Sequence, residues 1–568
     1  MKQIRMRHRN ALNKIRPFRG YTSIFLMLLL LGCGKRQPEV PLPSHTLVFG
    51  GDCFFGTRTS QSLYTDRQKE KVFEDVAPLL KQADIAFVNA EGVIAGGGLP
   101  AEKIDRDPLY YRVHPNAASM LAEAGVDVVT IGNNHAGDYG PDAMAEMMDR
   151  LLTHGVQFTG GGYDAADAAA PPVFLVGDTG VAVVGVDLTF ERKFAAGKDK
   201  PGTLYAGLTD EGWDMDGTVE SLTAVLRHLR KEANVVLLSP HWGRNWQQAP
   251  TPEIRRLARR LIEAGYDGIL GHSAHLVQGV ELIDGKPIIY DTGNFLLSYG
   301  RPNDYDEHEA LLYRIHFNKA GVTRLEARPI HADNVRTRLV DGEEGARVLE
   351  RLKSRSEAFD TQVVIKGNKG IIRCDPEEIS GPEKPTARLK APPEKVRAAP
   401  SYLVMDALPS GATPASVQFE NGIRLVGYRV TSKQLSHPRA GQFIETFWTT
   451  DRKQKADMLI HMEASGISDK NGEEERHLSG HQAGDWVFPI TAWPVGKVIR
   501  DISYLRIRLK KESPIKFYTG LYHGRFIPIL DADLPIENGR VFLGEAIQRK
   551  GGPDVFDVLE RLHAALGV

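Results

Sequence analysis

Seven side chains that can ligate a metal or move a proton stand where hydrophobic runs end: Asp52, Glu91, Asn134, His135, His241, His272 and His275. Carboxylate oxygen, amide oxygen and imidazole nitrogen are the donors that hold borderline divalent ions such as Mn, Zn or Fe. Taken singly, each histidine is as readily a hydrogen-bonded structural residue. Taken jointly, one carboxylate, a second carboxylate, Asn133-Asn-His135, His241-Trp-Gly243 and Gly271-His-Ser-Ala-His275 follow in an order that points to a site for one or two ions. Two cations held close together polarise a phosphoryl or carbonyl oxygen and make water nucleophilic near neutral pH. A bridging carboxylate would reduce the repulsion between them. His135, read as a non-ligand, would donate a proton to the leaving group.

The elements that must position these groups are legible as alternating strands and helices. His45–Phe49, Asp84–Val88 and Val126–Ile131 read as strands that deliver Asp52, then Asn89 and Glu91, then the Asn-Asn-His run. Asn234–Pro240 and Tyr266–Leu270 deliver His241 and the Gly271–His275 segment, and Pro287–Tyr290 leads to Asp291-Thr-Gly-Asn-Phe295. Helical spacing predicts helices over 70–82, 141–154, 252–264 and 343–358, the second opened by Pro141. The stretch 191–217 reads as a surface insertion or lid. Repeated strand, end loop and helix imply a layered α/β sheet, whose chemistry sits at the carboxyl ends of the strands.

At 568 residues the chain exceeds what one core usually serves. Its formal net charge of −1 supplies no global field for nucleic acid, which is excluded as a partner on that ground. A basic N-terminus precedes the apolar run Ile24–Leu31 and then Gly32-Cys33, too short for a comfortable membrane span and suited to a secretory signal. The expected organisation is therefore a signal peptide over 1–33, a proline-containing tether over 34–44, a first domain over 45–360, a linker over 361–400 and a second domain over 401–568. Short runs such as 422–428, 443–448, 458–462, 505–509 and 516–522 predict an antiparallel β-sandwich for the second domain, closed by a helix over 554–566. Besides Cys33 the chain has only Cys53 and Cys374, which leaves a disulfide between them open.

Leu30-Leu-Gly-Cys33 resembles a bacterial lipobox. The resemblance implies lipidation at Cys33, anchorage to a membrane and an extracytoplasmic place in the cell envelope. Gly51-Asp52, Asn89-Ala-Glu91, Asn133-Asn-His135 with Asp138-Tyr-Gly140, His241-Trp-Gly243, Gly271–His275 and Gly293-Asn-Phe295 resemble the motifs of the CapA capsule-synthesis family, associated with poly-γ-glutamate. That family is similar in fold to calcineurin-like metallophosphoesterases, which implies a four-layer α/β/β/α sandwich. Carried over, Asp52, Glu91, Asn134, His241, His272 and His275 become ligand candidates and His135 a catalytic one. Two departures stand out. No histidine flanks Asp52, and two residues rather than one separate His272 from His275.

Arg58, Tyr139 and Arg244 lie in or beside the motifs as candidate contacts to an anionic substrate, and Trp242 and Trp246 as an apolar wall. The expected function is a metal-dependent hydrolase acting on a phosphoester or amide bond of an anionic surface polymer or its precursor. The alternative is a non-catalytic scaffold among capsule synthesis or export proteins, with glycan binding by the second domain.

Overall fold

The computed structural model describes residues 44–55, 71–103, 109–189, 192–209, 212–297, 307–333, 335–375, 381–396, 403–431, 442–467, 472–481, 488–505 and 514–547. Two sheets organise the N-terminal region. In the first, His45–Cys53 is parallel to Ile85–Ala90, which is parallel to Val128–Thr130, itself parallel to Gln157–Thr159. On its other side His45–Cys53 meets Glu309–Asn318 antiparallel, followed by Gly321–Ala332 and Gly370–Arg373. The second sheet runs in the order Val280–Ile283, Lys286–Ile289, Gly268–Leu270, Val235–His241, Thr179–Asp187, Val173–Val176. Its four central strands are parallel and its two edges antiparallel.

Parallel strands persist only with both faces covered, and Ile85–Ala90, Thr179–Asp187 and Val235–His241 are buried at every residue. One core joins the sheets, with Leu47, Phe49 and Phe87 of the first against Val183, Val235 and Leu237 of the second. The alternate residues Val48, Val88 and Val129 turn the other way, onto Met144, Met147 and Leu151 of the helix Gly140–Thr153. Likewise Val184, Val236 and Leu238 meet Leu222 and Leu226 of Met215–Leu229, and Leu257 and Leu261 of Pro252–Glu263. Strand alternation thus divides each run between two cores, giving a mixed α/β architecture.

At their carboxyl ends the sheets come backbone to backbone. A Cβ on Gly132 would stand 2.9 Å from the amide nitrogen of Val186, and one on Gly185 2.3 Å from Thr130 Oγ1. Thr159 ties the edges together, its hydroxyl donating to Val183 O at 2.8 Å and accepting from Gly185 N at 2.9 Å. The loops that leave both sheets therefore emerge side by side.

Several expectations change. The helix expected over 70–82 is confined to Ala77–Lys81, with residues 71–76 in turns. Met215–Leu229, unforeseen, is a helix capped by Asp214, whose side chain accepts from Gly217 N. The 191–217 stretch forms short ladders, Gly202–Thr203 with Gly161–Gly162 and Leu208–Thr209 with Gly212–Trp213. Val364–Ile365 and Gly370–Arg373, inside the expected linker, are the two outermost strands on one side of the first sheet, and Arg388 pairs by backbone with Val173. Cys53 and Cys374 are free thiols, so the open disulfide is not formed. Cys33, the signal segment, Arg58 and the expected 554–566 helix lie outside the described residues.

The C-terminal strands form a six-stranded and a five-stranded sheet, in which neighbouring strands pair antiparallel. Val417, Leu425, Ile444, Trp448 and Ile499 of one share a core with Ile460, Met462, Phe517 and Val541 of the other. Among the described residues no helix is long and apolar enough to cross a membrane.

Candidate metal centre

Asp52 stands next to the end of its strand, in register with Asn89 on one side and Asn294 on the other. The residue before it must be small, because a Cβ on Gly51 would fall 1.8 Å from the Gly293 carbonyl oxygen. Asp52 is fully buried. Its Oδ1 accepts from Asn89 Nδ2 at 2.6 Å and its Oδ2 from the Ser273 amide at 3.2 Å. His275 Nδ1 lies 2.9 Å from Oδ2, and His272 Nδ1 lies 3.6 Å from Oδ1.

The second sheet supplies the imidazoles. His241 ends its strand and forms a parallel bridge with His272, which sets their Nδ1 atoms 2.7 Å apart. Ser239 Oγ stands 3.0 Å from His272 Nε2 and fixes the ring from behind. Beyond His272 the chain takes up its extra residue by unusual backbone, φ 111° at Ser273 and 59° at His275. Such left-handed conformations in non-glycine residues persist when their surroundings over-determine them. Here Ser273 N is held by Asp52, Ala274 N donates to Asp291 Oδ2 at 2.7 Å, and Trp246 N donates to Ala274 O at 2.8 Å. The two-residue spacer is thus accommodated, and both histidines face the same carboxylate.

Two donor sets result, Asp52 with His241 and His272, and Asp52 with Glu91 and His275, the ligand atoms of each lying within 4.8 Å of one another. Asp52 belongs to both, the position a bridging carboxylate requires.

The two asparagines of the Asn-Asn-His run divide their work. Asn133 Nδ2 donates to Asn89 Oδ1 at 3.0 Å and to Ala90 O at 2.9 Å, while its Oδ1 accepts from His135 N at 3.0 Å. It is a brace between strand ends. Asn134 Oδ1, by contrast, is shut from solvent without a partner, as is Glu91 Oε2. A buried acceptor left unsatisfied calls for an explanation, and oxygen donors beside an imidazole-carboxylate cluster fit a divalent cation.

His135 is set differently. Its Nδ1 is 2.8 Å from Asp138 Oδ2, which places the proton there and leaves Nε2 on the side of Glu91, 3.9 Å from Oε1. Tyr111 stacks on the ring at 3.9 Å between centroids, and the Tyr111 amide donates to the same Asp138 oxygen at 2.7 Å. Lys103 Nζ donates to Asp138 Oδ1 at 2.5 Å and to Leu109 O at 3.1 Å.

The electrostatics match a cation site. Burial raises Asp52, yet the charge and hydrogen bond of His275, with His272 and His241, hold its carboxyl well below the usual carboxylate range. Burial and the neighbouring Asp52 push Glu91 up to about 8. Burial acts to lower His275, but Glu91 and Asp52 draw it up to about 10. Burial lowers His272 to about 4, with Asp52 opposing, and burial together with the neighbouring His272 holds His241 well below the ordinary imidazole range. The cluster wants positive charge between its carboxylates, while His241 and His272 stay neutral, the form in which imidazole ligates.

Asp52, Glu91, His241, His272 and His275 are thus brought together. The ring of buried Tyr139 packs under the Arg112 guanidinium at 3.9 Å and edge-on to Tyr110 at 6.3 Å. Arg244 is exposed in the loop after His241. Trp242 is buried and donates from Nε1 to Tyr290 O at 3.1 Å. Sequence reasoning missed the working partners Asn89, Asn133, Asp138, Asp291 and Lys103. Asn89, Asn133 and Asp138 sit inside the motifs and Asp291 at the strand end just before Gly293-Asn-Phe295, where that position was the available signal. Lys103 comes from a loop with no such mark.

The family described as bacterial capsule synthesis protein PGA_cap matches residues 46–299, which contain this entire cluster. The chain is 26% identical over 310 residues to the PGA biosynthesis protein CapA of Bacillus subtilis, covering 54% of this chain and 77% of that protein. It is 27% identical over 292 residues to a probable polyglutamine synthesis accessory protein of Mycobacterium tuberculosis, covering 50% and 75%. With the capsule biosynthesis protein CapA of Bacillus anthracis it shares 24% over 287 residues, covering 50% and 67%. Residues 46–299, with the donor cluster they carry, thus match the family of bacterial capsule synthesis proteins, and the similarity to CapA proteins spans about half of this chain.

Proposed function

We propose that the chain is a metal-dependent hydrolase opening a phosphoester or amide bond in a surface polymer of the capsule or poly-γ-glutamate kind, or in its precursor. One observation carries this reading: a buried carboxylate, Asp52, shared by two donor sets, in one of which Glu91 keeps Oε2 without a hydrogen-bond partner. Asp52, His241 and His272 would hold one ion, and Asp52, Glu91, Asn134 and His275 the other. Such a pair supplies charge for a developing oxyanion and activates water. His135, oriented by Asp138, would exchange a proton with the leaving group through Nε2. The two helix-flanked sheets with a common core support a four-layer, metallophosphoesterase-like arrangement, and the C-terminal sheets an accessory β-sandwich. Lipidation at Cys33 would place the protein on an envelope membrane facing away from the cytoplasm.

The test is metal content of a soluble chain beginning near Pro41, alone and with His241→Ala plus His272→Ala, followed by turnover of a generic phosphodiester. About two ions per chain, falling in the variant, with turnover that needs them, is the expected result. A non-catalytic accessory role is favoured by one observation: the set around Glu91 has a single imidazole, since no histidine flanks Asp52. Metal bound without turnover of any phosphodiester or amide would make that second reading the better one.

A further inference from the structure

Beside the loops that carry the ligands, a groove of about 690 Å³ opens between the helices Pro252–Glu263 and Gly342–Glu357. Its lining holds four arginines, Arg255, Arg256, Arg259 and Arg355, against one carboxylate, Glu281. In a chain of formal net charge −1 this is a strong local excess of positive charge. The side chains of Arg255, Arg256 and Arg259 remain 42%, 60% and 53% exposed.

The groove is built rather than incidental. Arg255 lies over the Phe359 ring at 4.6 Å and reaches Glu281 with two nitrogens, Nε at 3.3 Å and Nη2 at 3.1 Å. Arg259 shares the same carboxylate at 3.4 Å, and Tyr290 donates to it at 2.6 Å. Arg355 is tied to the Val277 carbonyl. Arg255 and Arg259 are one helical turn apart and so lie on one face. The groove also abuts the candidate centre through the chain. Gln248, which lines it, follows His241 in the same loop, and Gly279, also lining it, follows His275. Gln278 Nε2 donates to Gln247 O at 2.8 Å and locks the two loops to each other.

We infer that this groove binds an anionic polymer bearing a carboxylate on each repeat unit, and so presents the chain alongside the metal-ligand loops. Guanidinium forks match carboxylates two bonds at a time, and Glu281 is a carboxylate already held that way. Further carboxylates along one strand would engage the exposed arginines in succession, while Phe359 supports the apolar backbone between them. The volume is that of a ligand-sized cleft. The inference rests on the polymer-directed reading of the metal centre, but its test requires no turnover.

The metal-loaded soluble chain is titrated with a fluorescein-labelled oligoglutamate, followed by anisotropy. Arg256→Glu with Arg259→Gln should weaken binding by roughly tenfold or more, since each lost fork is a charge-assisted contact, and added salt should weaken it further. Arg227→Glu, an exposed charge change on the helix Met215–Leu229 outside the groove's lining, should leave binding within about twofold. Arg256→Glu alone, which breaks an exposed pair with Glu253 of the same helix, guards against a folding defect. Unchanged binding in the double variant, or equal loss in Arg227→Glu, overturns the groove. Tighter binding of a polyphosphate of matched charge, lost in the same variants, overturns the carboxylate assignment. His135→Ala should bind oligoglutamate normally, so that loss of turnover with retained binding separates failure of the groove from failure of the hydrolase reading.

Discussion

Asp52 Oδ2 and His275 Nδ1 lie 2.9 Å apart although they come from different sheets, one from a strand of the first and the other from a loop of the second. The contact is where the two layers are stitched at their carboxyl ends, and Asp52 is the one group common to both donor sets. Asp52→Asn keeps the side chain's shape and its acceptor for Asn89 while removing the shared charge. Metal content should fall from about two ions per chain to one or fewer, measured by elemental analysis, with the far-ultraviolet dichroism unchanged.

His135, in the proposed mechanism, contributes by proton transfer rather than by ligation. His135→Ala should lower turnover of a phosphodiester by about 10²- to 10⁴-fold and leave the bound metal in place. Parallel loss of metal would move His135 into the ligand set.

Lys103 and Asp138 form a buried ion pair, their side chains 2% and 0% exposed. Removing one partner strands the other's charge. Lys103→Met should therefore cost about 3 kcal/mol of stability, read by urea denaturation. Adding Asp138→Asn should recover part of that loss by removing the stranded carboxylate, while turnover stays low because His135 has lost its orienting charge.

His114 gives a pH dependence away from the metal cluster. Burial first, then the charge of Arg150, lowers it from 6.5 to about 4, and its Nδ1 accepts from the Asn116 amide as only a neutral ring can. The unfolded chain takes up this proton near pH 6.5 and the folded chain only near pH 4, so this contribution is complete above 6.5 and is lost as pH falls toward 4. His114→Gln should remove about 2 kcal/mol of the stability difference between pH 7.5 and pH 4.5, measured by denaturation at both values.

Cys33→Ser tests the anchor. The full chain should fractionate with membranes and the variant with the soluble phase, because an acyl chain supplies the binding energy that the short apolar run lacks. Membrane association that survives the substitution would show the apolar run to be an uncleaved anchor.

The strands are legible in the sequence because their residues are buried on both faces: runs such as Val235–Leu238 have no polar interruption and end where the polar groups begin. The helix Met215–Leu229 carries helical spacing in its buried Thr218, Leu222, Leu226 and Leu229, but its first turn, with Gly217, falls inside the glycine- and charge-rich 191–217 stretch, whose composition reads as a loop. The outer strands Val364–Ile365 and Gly370–Arg373 are short and half exposed, so their composition is that of a linker until Gly321–Ala332 supplies a partner for the second of them.

The sequence by itself determined which residue types end the strands, and hence that Asp52, Glu91, His241, His272 and His275 were donors awaiting one another, because strand periodicity and donor chemistry are local properties. Which atoms share a cation site, that Asn133 braces while Asn134 is left without a partner, and that Lys103 completes the His135–Asp138 pair were decided only by tertiary structure. Those relations depend on the close approach of two sheets at Gly132, Gly160 and Gly185, and distance between sequence-remote atoms is written nowhere in a one-dimensional pattern.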